Sequence, residues 1–525
     1  MRPEVSLRVT VASCVFALAL GACGGPDVSR DASTLDGATP RDAASSADAR
    51  ADDAGSDASD PTIVREPVAS AREIRGAWIP SVWNIVFPSA STLDATQGRA
   101  EIVAILDVME ELRMNAAFVQ VRPESDALYE SSIEPWSRYL SGEQGRDPGW
   151  DPLATWITEG HARGIEIHAW INPYRGMASA TATTATNHVT RTLSAHAHQY
   201  GTQILMDPGA PAVRAHVVSV VRDIVSRYEV DGIHFDDYFY PYPIAGEAFP
   251  DDATWAAYVD GGGALELGDW RRQNVHDLVR EVSEAIAAER DDVRFGISPF
   301  GIYRPGMPSG ISGLDAYEAI YCDPLRWIEE GWVDYLAPQL YWRTEAQSFD
   351  RLLAWWATHA HEGRTILAGM NHAALIDPVP ERRWELATYR DQMSTVQSSL
   401  GTGVSGSIAY HVAPLLRNAS GVRDAFRDEI WTELALTPPL ASADPSVRPA
   451  PPTLTREGTS VRVDHADRAS LRAFAIYVEA AGGWSLSRIV PAAIGSLELD
   501  DATPTAVVAV DRRGIESLAR RTPVD

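Results

Sequence analysis

The 525-residue sequence contains no lysine, so all 45 of its basic residues are arginine. This absence excludes Schiff-base catalysis by lysine, Ser-Lys catalysis and the phosphate-binding loop that depends on a lysine. Positive charge is also outweighed, because 72 Asp and Glu residues give a formal net charge of −27. Since nucleic-acid binding needs clustered basic side chains, we expect no nucleic-acid partner.

Cysteine is rare, with three residues at Cys14, Cys23 and Cys322. They form no Cys-x-x-Cys pair and no cluster with histidine, which argues against a structural zinc site. Carboxylates that could bind a hard metal ion occur later in the chain, but no calcium-loop pattern accompanies them. We therefore expect neither a metal nor a cofactor.

The first 23 residues have the pattern of an export signal. Two arginines precede the apolar run VTVASCVFALAL, which is too short to span a membrane well. The run leads into LGAC at 20–23, which resembles the lipobox of bacterial lipoproteins. This resemblance implies that 1–22 is a signal peptide, that Cys23 carries a lipid, and that the exported protein is anchored in the cell envelope. Gly24 favours the outer membrane by the same resemblance; an ordinary signal peptide with an incidental cysteine is the alternative.

Three further segments stand apart by composition. Residues 24–60 hold nine Asp and no aromatic residue, and such a stretch cannot bury enough apolar surface to fold. We predict a disordered Ala/Asp/Ser tether over 23–70 and, from the strings TPPL and RPAPP, a proline-rich linker over 436–452. Short alternating runs such as SVRVDH and AVVAVD predict a small β-sandwich over 453–525, and its last run resembles the final strand of a fibronectin type III domain.

Between the tether and the linker, short apolar runs alternate with amphipathic segments such as RAEIVAILDVMEELRM. Eight runs are predicted to be strands: 74–80, 116–122, 165–172, 232–237, 293–299, 335–341, 365–370 and 407–411. Eight strands alternating with helices predict an α/β fold, a (β/α)8 TIM barrel over 71–435. An open doubly wound sheet is the rival, but no Gly-x-Gly-x-x-Gly turn follows a strand here.

Carboxylates cluster at the predicted mouth of the barrel, at the end of the fourth strand, in the string DGIHFDDY. Strand alternation points His234 and Asp236 into the barrel and places Asp237 at its rim. Carboxylates at such a place are costly unless they are hydrogen-bonded or used, although a helix cap or an ion pair is the structural alternative. Glu124 follows the second strand on the same face. We predict that Asp236 is one catalytic carboxylate, and that Glu124 or Asp237 is the other.

Amide, cationic, imidazole and aromatic side chains lie near the other strand ends. Those predicted to bind substrate are Arg122, His168, Trp170, Asn172, Tyr174, His234, Gln339, Tyr341 and Trp342. Trp83 is one of several further tryptophans whose rings could stack on a sugar face. This inventory suits a carbohydrate whose glycosidic bond is broken by an acid and a base or nucleophile. The sequence leaves open whether the anomeric configuration is retained or inverted.

Seven strings, in order over about 71–390, together resemble the glycosyl-hydrolase-like 10 family. They are REIRGAWIPSVWN, FVQVRPESDALY, PWSRYLSG, GIEIHAWINPYR, DGIHFDDYFYP, GISPFGIYR and DYLAPQLYW. The resemblance implies an exported bacterial barrel protein that hydrolyses cell-envelope polysaccharide, including peptidoglycan glycan strands stripped of their peptides. The string DGIHFDD also resembles the fourth strand of chitinase-type barrels, but Tyr238 stands where those enzymes have a catalytic Glu.

Two other classes of function remain open at this point. A barrel that binds glycan without cleaving it would have much the same motif residues, and activity on peptide-free strands would separate the two. A purely structural lipoprotein would be expected to have few polar groups at the barrel mouth.

Overall fold

The structure, a computed structural model, describes residues 60, 62–64, 71–343, 347–458, 460–480, 483–498 and 505–522. The predicted signal peptide, the lipidation site Cys23 and most of the predicted tether lie outside the described residues. In the part of the chain that is described, every helix is too short or too polar to cross a membrane.

Eight parallel strands close into a barrel, which confirms the predicted TIM barrel. They are β1 (Ile74–Ile79), β2 (Ala116–Arg122), β3 (Glu166–Ile171), β4 (Gly232–Phe235), β5 (Arg294–Ile297), β6 (Tyr335–Leu336), β7 (Thr365–Met370) and β8 (Val404–Ala409). Each strand pairs with the next along the chain, and β8 returns to pair with β1, with Gly406 opposite Ile74. Each of the eight predicted strands corresponds to one strand of the barrel.

A helix follows each strand on the outside of the barrel. These helices are α1 (Ala95–Glu111), α2 (Pro152–Ala162), α3 (Pro211–Arg227), α4 (Leu267–Glu289), α5 (Pro324–Glu329), α6 (Phe349–Ala357), α7 (Leu386–Ser399) and α8 (Val422–Ala425). The start of α1 is fixed by a capping box between Asp94 and Gln97. Helix α3 buries Val213, Val217 and Ile224 on one face, as its apolar spacing predicts.

Shorter elements decorate the loops. A three-stranded antiparallel sheet (Arg175–Met177, Ala197–Tyr200, Gln203–Met206) follows β3, and the helix Asp252–Asp260 follows β4. Short helices span Arg138–Ser141, Val189–Thr192, Ala316–Ala319 and Ala413–Leu416. Turns of 3-10 helix span Ser194–His196, His372–Ile376, Pro380–Arg382 and Arg468–Ser470. A π-helical turn spans Phe426–Ile430. The three-stranded sheet after β3 and the helix after β4 therefore lie in loops at the carboxyl ends of the strands. This is the face where barrels of this type bind ligands.

The barrel interior is packed with rings. Trp78, Phe118, Trp170 and Tyr335 form one buried apolar cluster inside it. Glycine makes the room for them: a Cβ on Gly296 would lie 2.0 Å from the ring of Tyr335. The interior is therefore a filled core and not a channel.

The C-terminal part forms a β-sandwich, as predicted, from seven strands: β9 (Thr453–Glu457), β10 (Ser460–Asp464), β11 (Leu471–Ala480), β12 (Gly483–Pro491), β13 (Ser496–Glu498), β14 (Thr505–Asp511) and β15 (Ala519–Arg521). Strands β9, β10 and β13 form one antiparallel sheet, and β12, β11, β14 and β15 form the other. The fibronectin type III assignment stays a prediction.

The predicted tether contains an ordered segment. Ile63–Val64 forms a buried two-residue strand that pairs antiparallel with β15. Arg520 also donates a hydrogen bond of 2.8 Å to the Asp60 carboxylate. The prediction of disorder over all of 23–70 is therefore corrected at 62–64, where the open edge of the sheet supplies backbone partners.

The sandwich packs on the amino-terminal face of the barrel, opposite the strand ends with the candidate site. Arg472 forms an ion pair with Glu166 at the start of β3, and their side chains are 15% and 1% exposed. Thr437, in the predicted linker, donates a hydrogen bond of 2.6 Å to the same carboxylate. Arg512 and Arg513 add exposed ion pairs to the loops that precede β4 and β5. The barrel and the sandwich are thus joined through a buried charge.

Candidate active site

Asp236 follows β4, and its half-buried side chain lies at the barrel mouth, on the side that strand alternation predicts. Asn172 donates a hydrogen bond of 2.9 Å to Oδ2, and the backbone N–H of Asp237 donates one of 2.9 Å to Oδ1. Gln339 Nε2 lies 3.5 Å from Oδ1. Asn172 is itself fixed, because Gln120 Nε2 donates to its Oδ1 at 2.6 Å. An amide network therefore holds an acceptor carboxylate toward the mouth.

Asp237 is buried beside Asp236. The hydroxyl of Tyr242 donates a hydrogen bond to its Oδ2. Burial, and then the adjacent charge of Asp236, raise the pKa of Asp237 well above its ordinary value. The protonated form of Asp237 is thus favoured beside the hydrogen-bonded carboxyl group of Asp236.

Arg175 is a buried cation of the same site. It donates to Asn172 Oδ1 at 2.6 Å, to the Pro123 carbonyl at 2.7 Å and to the Tyr238 hydroxyl at 3.1 Å. Burial opposes its charge, but Tyr238 and Asp236 outweigh that effect and hold the pKa of Arg175 above its ordinary value. Arg175 therefore places positive charge near Asp236 without a direct ion pair to it.

Glu124 is fully buried and held by groups of the protein itself. Its Oε1 accepts hydrogen bonds from Arg138 at 2.8 Å, the Tyr139 hydroxyl at 2.7 Å and the Ala178 backbone N–H at 3.0 Å. This arrangement suits a positioning group better than one that exchanges protons with substrate. The neighbouring Asp126 is also fully buried, and burial, followed by the charge of Glu124, raises its pKa to about 7.

The prediction that Arg122 binds substrate is corrected by the structure. The pairing of β2 with β3 shifts register between Gln120 and Arg122. The bulge turns Arg122 away from the barrel interior. In this outward position its guanidinium forms a two-pronged ion pair with the Glu134 carboxylate, at 2.6 and 2.8 Å. Because both side chains are only 1% exposed, Arg122 has a structural role below the loops.

Three other predicted ligands point inward but lie below the mouth. His234 accepts a hydrogen bond from Trp78 Nε1 at 2.9 Å, and its Nδ1 lies 2.9 Å from the Tyr335 hydroxyl. His168 lies 3.1 Å from Glu166, at the opposite end of the barrel from Asp236. Trp170 packs in the interior ring cluster. Burial, and then His168, lower the pKa of His234 far below its ordinary value, which suits a neutral core residue.

Tyr174 is corrected as well, because it lies fully buried in the core between the barrel and the helices. Three predicted ligands do lie near Asp236: Asn172, Gln339 and Tyr341. Burial, followed by Tyr410 and Asp236, raises the pKa of Tyr341, whose ring stacks on Tyr410 at 5.6 Å. Trp342 stands edge-on to Phe300 at 5.6 Å. The mouth thus combines amides, carboxyl groups and rings.

Comparison with known proteins identifies the family. The sequence model of the glycosyl hydrolase-like 10 family matches residues 73–384, which is more than half of the 525 residues. This chain belongs to the glycosyl hydrolase-like 10 family.

Two glycosyl hydrolases are similar to this chain over most of their own length, and a solved structure shows a weaker likeness. The chain is 37% identical over 405 residues to glycosyl hydrolase YngK of Bacillus subtilis, covering 74% of this chain and 77% of that protein. It is 36% identical over 322 residues to glycosyl hydrolase DigH of Escherichia coli, covering 57% of this chain and 72% of that protein. The glycoside hydrolase domain of PgaB (BpsB) from Bordetella bronchiseptica aligns with a TM-score of 0.46 and 13% identity, over 68% of this chain and 99% of that structure.

Three residues at the barrel mouth were not predicted from the sequence. Arg175, Tyr238 and Tyr242 all contact the Asp236–Asp237 pair or its supports. The strings NPYR and DDYFYP carried the signal, since both directly follow strands that end at the mouth. Among the described residues, no group of three or more His, Cys, Asp and Glu side chains is placed to hold a metal ion.

Asp126→Asn is expected to stabilise the protein at high pH. The folded pKa of Asp126, about 7, exceeds its unfolded value of about 3.9. The stability linked to the protonated form is therefore fully present below about pH 4 and lost as the pH rises through 7. We expect the variant to exceed wild type by about 2–4 kcal/mol at pH 8, and by much less at pH 4.5. Urea unfolding at both pH values measures this, and Asp260→Asn, an exposed change, should show no such trend; a difference independent of pH would contradict the assignment.

Proposed function

We propose that this chain hydrolyses glycosidic bonds of bacterial cell-envelope polysaccharide, specifically in peptidoglycan glycan strands whose peptides have been removed. Membership of a glycosyl hydrolase-like family supports action on glycans, and the relatives YngK and DigH are themselves named glycosyl hydrolases. The observation that carries the proposal is the Asp236–Asp237 pair, in which a hydrogen-bonded acceptor carboxylate adjoins a buried carboxyl group whose pKa is raised well above its ordinary value.

In this proposal the two carboxyl groups have different roles. Asp237 donates its proton to the oxygen of the leaving sugar as the glycosidic bond breaks. Asp236 supplies the negative charge that stabilises the oxocarbenium-like transition state. It either takes a proton from the water that attacks the anomeric carbon, or attacks that carbon itself to form a glycosyl-enzyme that water then hydrolyses. Asn172 fixes the rotamer of Asp236, and Arg175 fixes Asn172. Two aromatic residues, Tyr341 and Trp342, supply flat surfaces for sugar rings.

We also propose that the protein works at the cell envelope, exported and anchored by a lipid on Cys23. The string LGAC before Gly24 supports this location. An enzyme anchored there would meet envelope polysaccharide directly.

Product analysis is the experiment that tests the function. Purified protein is incubated with intact sacculi and with peptide-stripped glycan strands, and new reducing ends are identified by mass spectrometry. We expect products from the stripped strands and few from intact sacculi. Binding to the strands without any product would overturn the hydrolase proposal and favour a glycan-binding protein. Products only from another envelope polysaccharide would overturn the choice of substrate.

A further inference from the structure

The turn after β1 exposes an aromatic ring beside the candidate site. Trp83 is 38% exposed and is the one aromatic among the large exposed apolar side chains of the described residues. Its backbone has φ of +56°, and that of Asn84 has φ of +52°. A bulky residue in this left-handed region is strained, and such strain is concentrated at functional sites. Asn84 holds the turn by donating to the carbonyls of Pro88 and Tyr139 at 2.8 and 3.0 Å.

The guanidinium of Arg138 lies against this ring. It is 5.5 Å from the centre of the Trp83 ring and 5.1 Å from that of Tyr139. Its NH2 donates to Glu124 at 2.8 Å and to the Tyr139 hydroxyl at 3.2 Å, while the side chain stays 19% exposed. Two aromatic faces and one carboxylate therefore fix the plane of the guanidinium.

Arg138 keeps unused donors. Its Nε is buried and has no hydrogen-bond partner among the described residues. A buried guanidinium N–H without an acceptor is unusual, because leaving it unpaired costs free energy. Oε1 of Glu124 accepts hydrogen bonds from three donors, of which Arg138 supplies one. Glu124 therefore orients the guanidinium of Arg138 but leaves other N–H groups of that guanidinium without an acceptor. Nε is enclosed by protein, but Nη1 also makes no hydrogen bond among the described residues, and on this partly exposed side chain it is the donor that an incoming anion would reach.

A chain of hydrogen bonds ties this turn to the catalytic pair. The backbone N–H groups of Ser81 and Val82 both donate to Gln120 Oε1 at 2.9 Å. Gln120 donates in turn to Asn172, which donates to Asp236. The exposed ring and the reacting carboxylate are therefore positioned by one amide network, as neighbouring binding places for a polysaccharide would need to be.

We propose that Trp83 and Arg138 form a subsite for a sugar that carries a free carboxylate. The sugar ring lies on the indole of Trp83, and the carboxylate accepts hydrogen bonds from the guanidinium of Arg138. The inference rests on the proposed function and refines it, since it makes acidic sugars the substrate class. In peptide-stripped strands each muramic acid has a free carboxylate, whereas a peptide converts that group into a neutral amide. Selection of bare strands then follows from one arginine.

The test compares two forms of one substrate. Peptide-stripped strands are assayed as prepared and after carbodiimide coupling with ammonia, which converts their carboxylates into neutral amides. We expect wild type to show kcat/KM about 10–100-fold higher on the carboxylate form, as a charge-assisted hydrogen bond would provide. Arg138→Gln should reduce this ratio to within about threefold, mainly by raising KM for the carboxylate form.

Matched variants separate recognition from folding. Glu124→Gln/Arg138→Gln removes both charges and leaves no unpaired buried carboxylate, yet it should also lack the preference. Arg99→Gln alters another arginine that lies over a tryptophan ring, that of Trp150 at 5.5 Å, and should keep the wild-type ratio. Equal losses on both substrates in Arg138→Gln, or a wild type that does not discriminate, would overturn the subsite.

Failure of the proposed function gives a different result. If neither strand form is cleaved, hydrolysis is overturned, and the subsite is tested by binding of the same two forms. Tighter binding of the carboxylate form by wild type, lost in Arg138→Gln, supports the subsite; equal binding of both forms overturns it.

Discussion

Asp236→Asn is expected to lower kcat on peptide-stripped strands by about 10³-fold or more, with little change in KM. The substitution removes the charge that the proposed mechanism requires but keeps the size of the side chain. Asn can still accept the hydrogen bond that Asn172 donates to Asp236, so the mouth should keep its shape. Release of reducing ends under saturating substrate measures the effect.

The matched control is Asp260→Asn, which changes the same functional group at an exposed position. It should retain wild-type activity, and both variants should melt within about 2 °C of wild type because neither removes buried apolar contacts. If Asp236→Asn keeps more than a tenth of wild-type kcat, Asp236 is not the catalytic carboxylate, and Asp237→Asn becomes the next variant to test.

Arg472→Ala is expected to destabilise the protein by about 3 kcal/mol, because it leaves the buried Glu166 carboxylate without its main partner. Arg294 remains 3.5 Å from that carboxylate and limits the loss. Burial opposes the charge of Glu166, but Arg472 and Arg294 outweigh it and hold its pKa far below the ordinary value. The ionised Glu166 carboxylate thus contributes to the free energy of unfolding above its unfolded-state pKa, and this contribution is lost as the pH falls toward its folded-state pKa. Urea unfolding should therefore show a smaller deficit at pH 4 than at pH 7.

Two variants make this result specific. Arg521→Ala breaks an exposed ion pair with Glu479 of the same sandwich, and should cost less than about 1 kcal/mol. Glu166→Gln/Arg472→Met removes the buried pair as a unit and should recover much of the loss. If Arg472→Ala were as mild as Arg521→Ala, Arg294 and its neighbours would be sufficient to compensate Glu166.

The barrel could be predicted because its signals are local. Each strand is a short apolar run, and alternation within DGIHFDDY gives the inward direction of Asp236 without reference to any other part of the chain. How deep an inward side chain lies along the barrel axis cannot be predicted from the sequence of its own strand. His168, His234 and Trp170 share the inward side, yet they lie below the mouth, since depth depends on where a strand starts relative to its neighbours.

Long-range pairing explains the other differences. A one-residue register shift turns Arg122 outward, and nothing in the string FVQVRPE marks that bulge. The partner that fixes Arg138, Glu124, is 14 residues away along the chain, and their contact depends on how two loops fold back. The strand Ile63–Val64 is too short to show any periodicity, and its pairing depends on the free edge of β15.

The strand Ile63–Val64 places the amino-terminal end of the folded part at the opposite end of the molecule from the barrel mouth. The chain enters the folded body at residues 62–64, on the sandwich, and the sandwich covers the amino-terminal face of the barrel. The candidate catalytic carboxylate Asp236 lies at the opposite end of the barrel, at the carboxyl ends of the strands. A protein held by its amino-terminal end would therefore stand with its catalytic opening pointed outward from the supporting surface, and glycan would reach it from the far side without passing between the enzyme and its anchor.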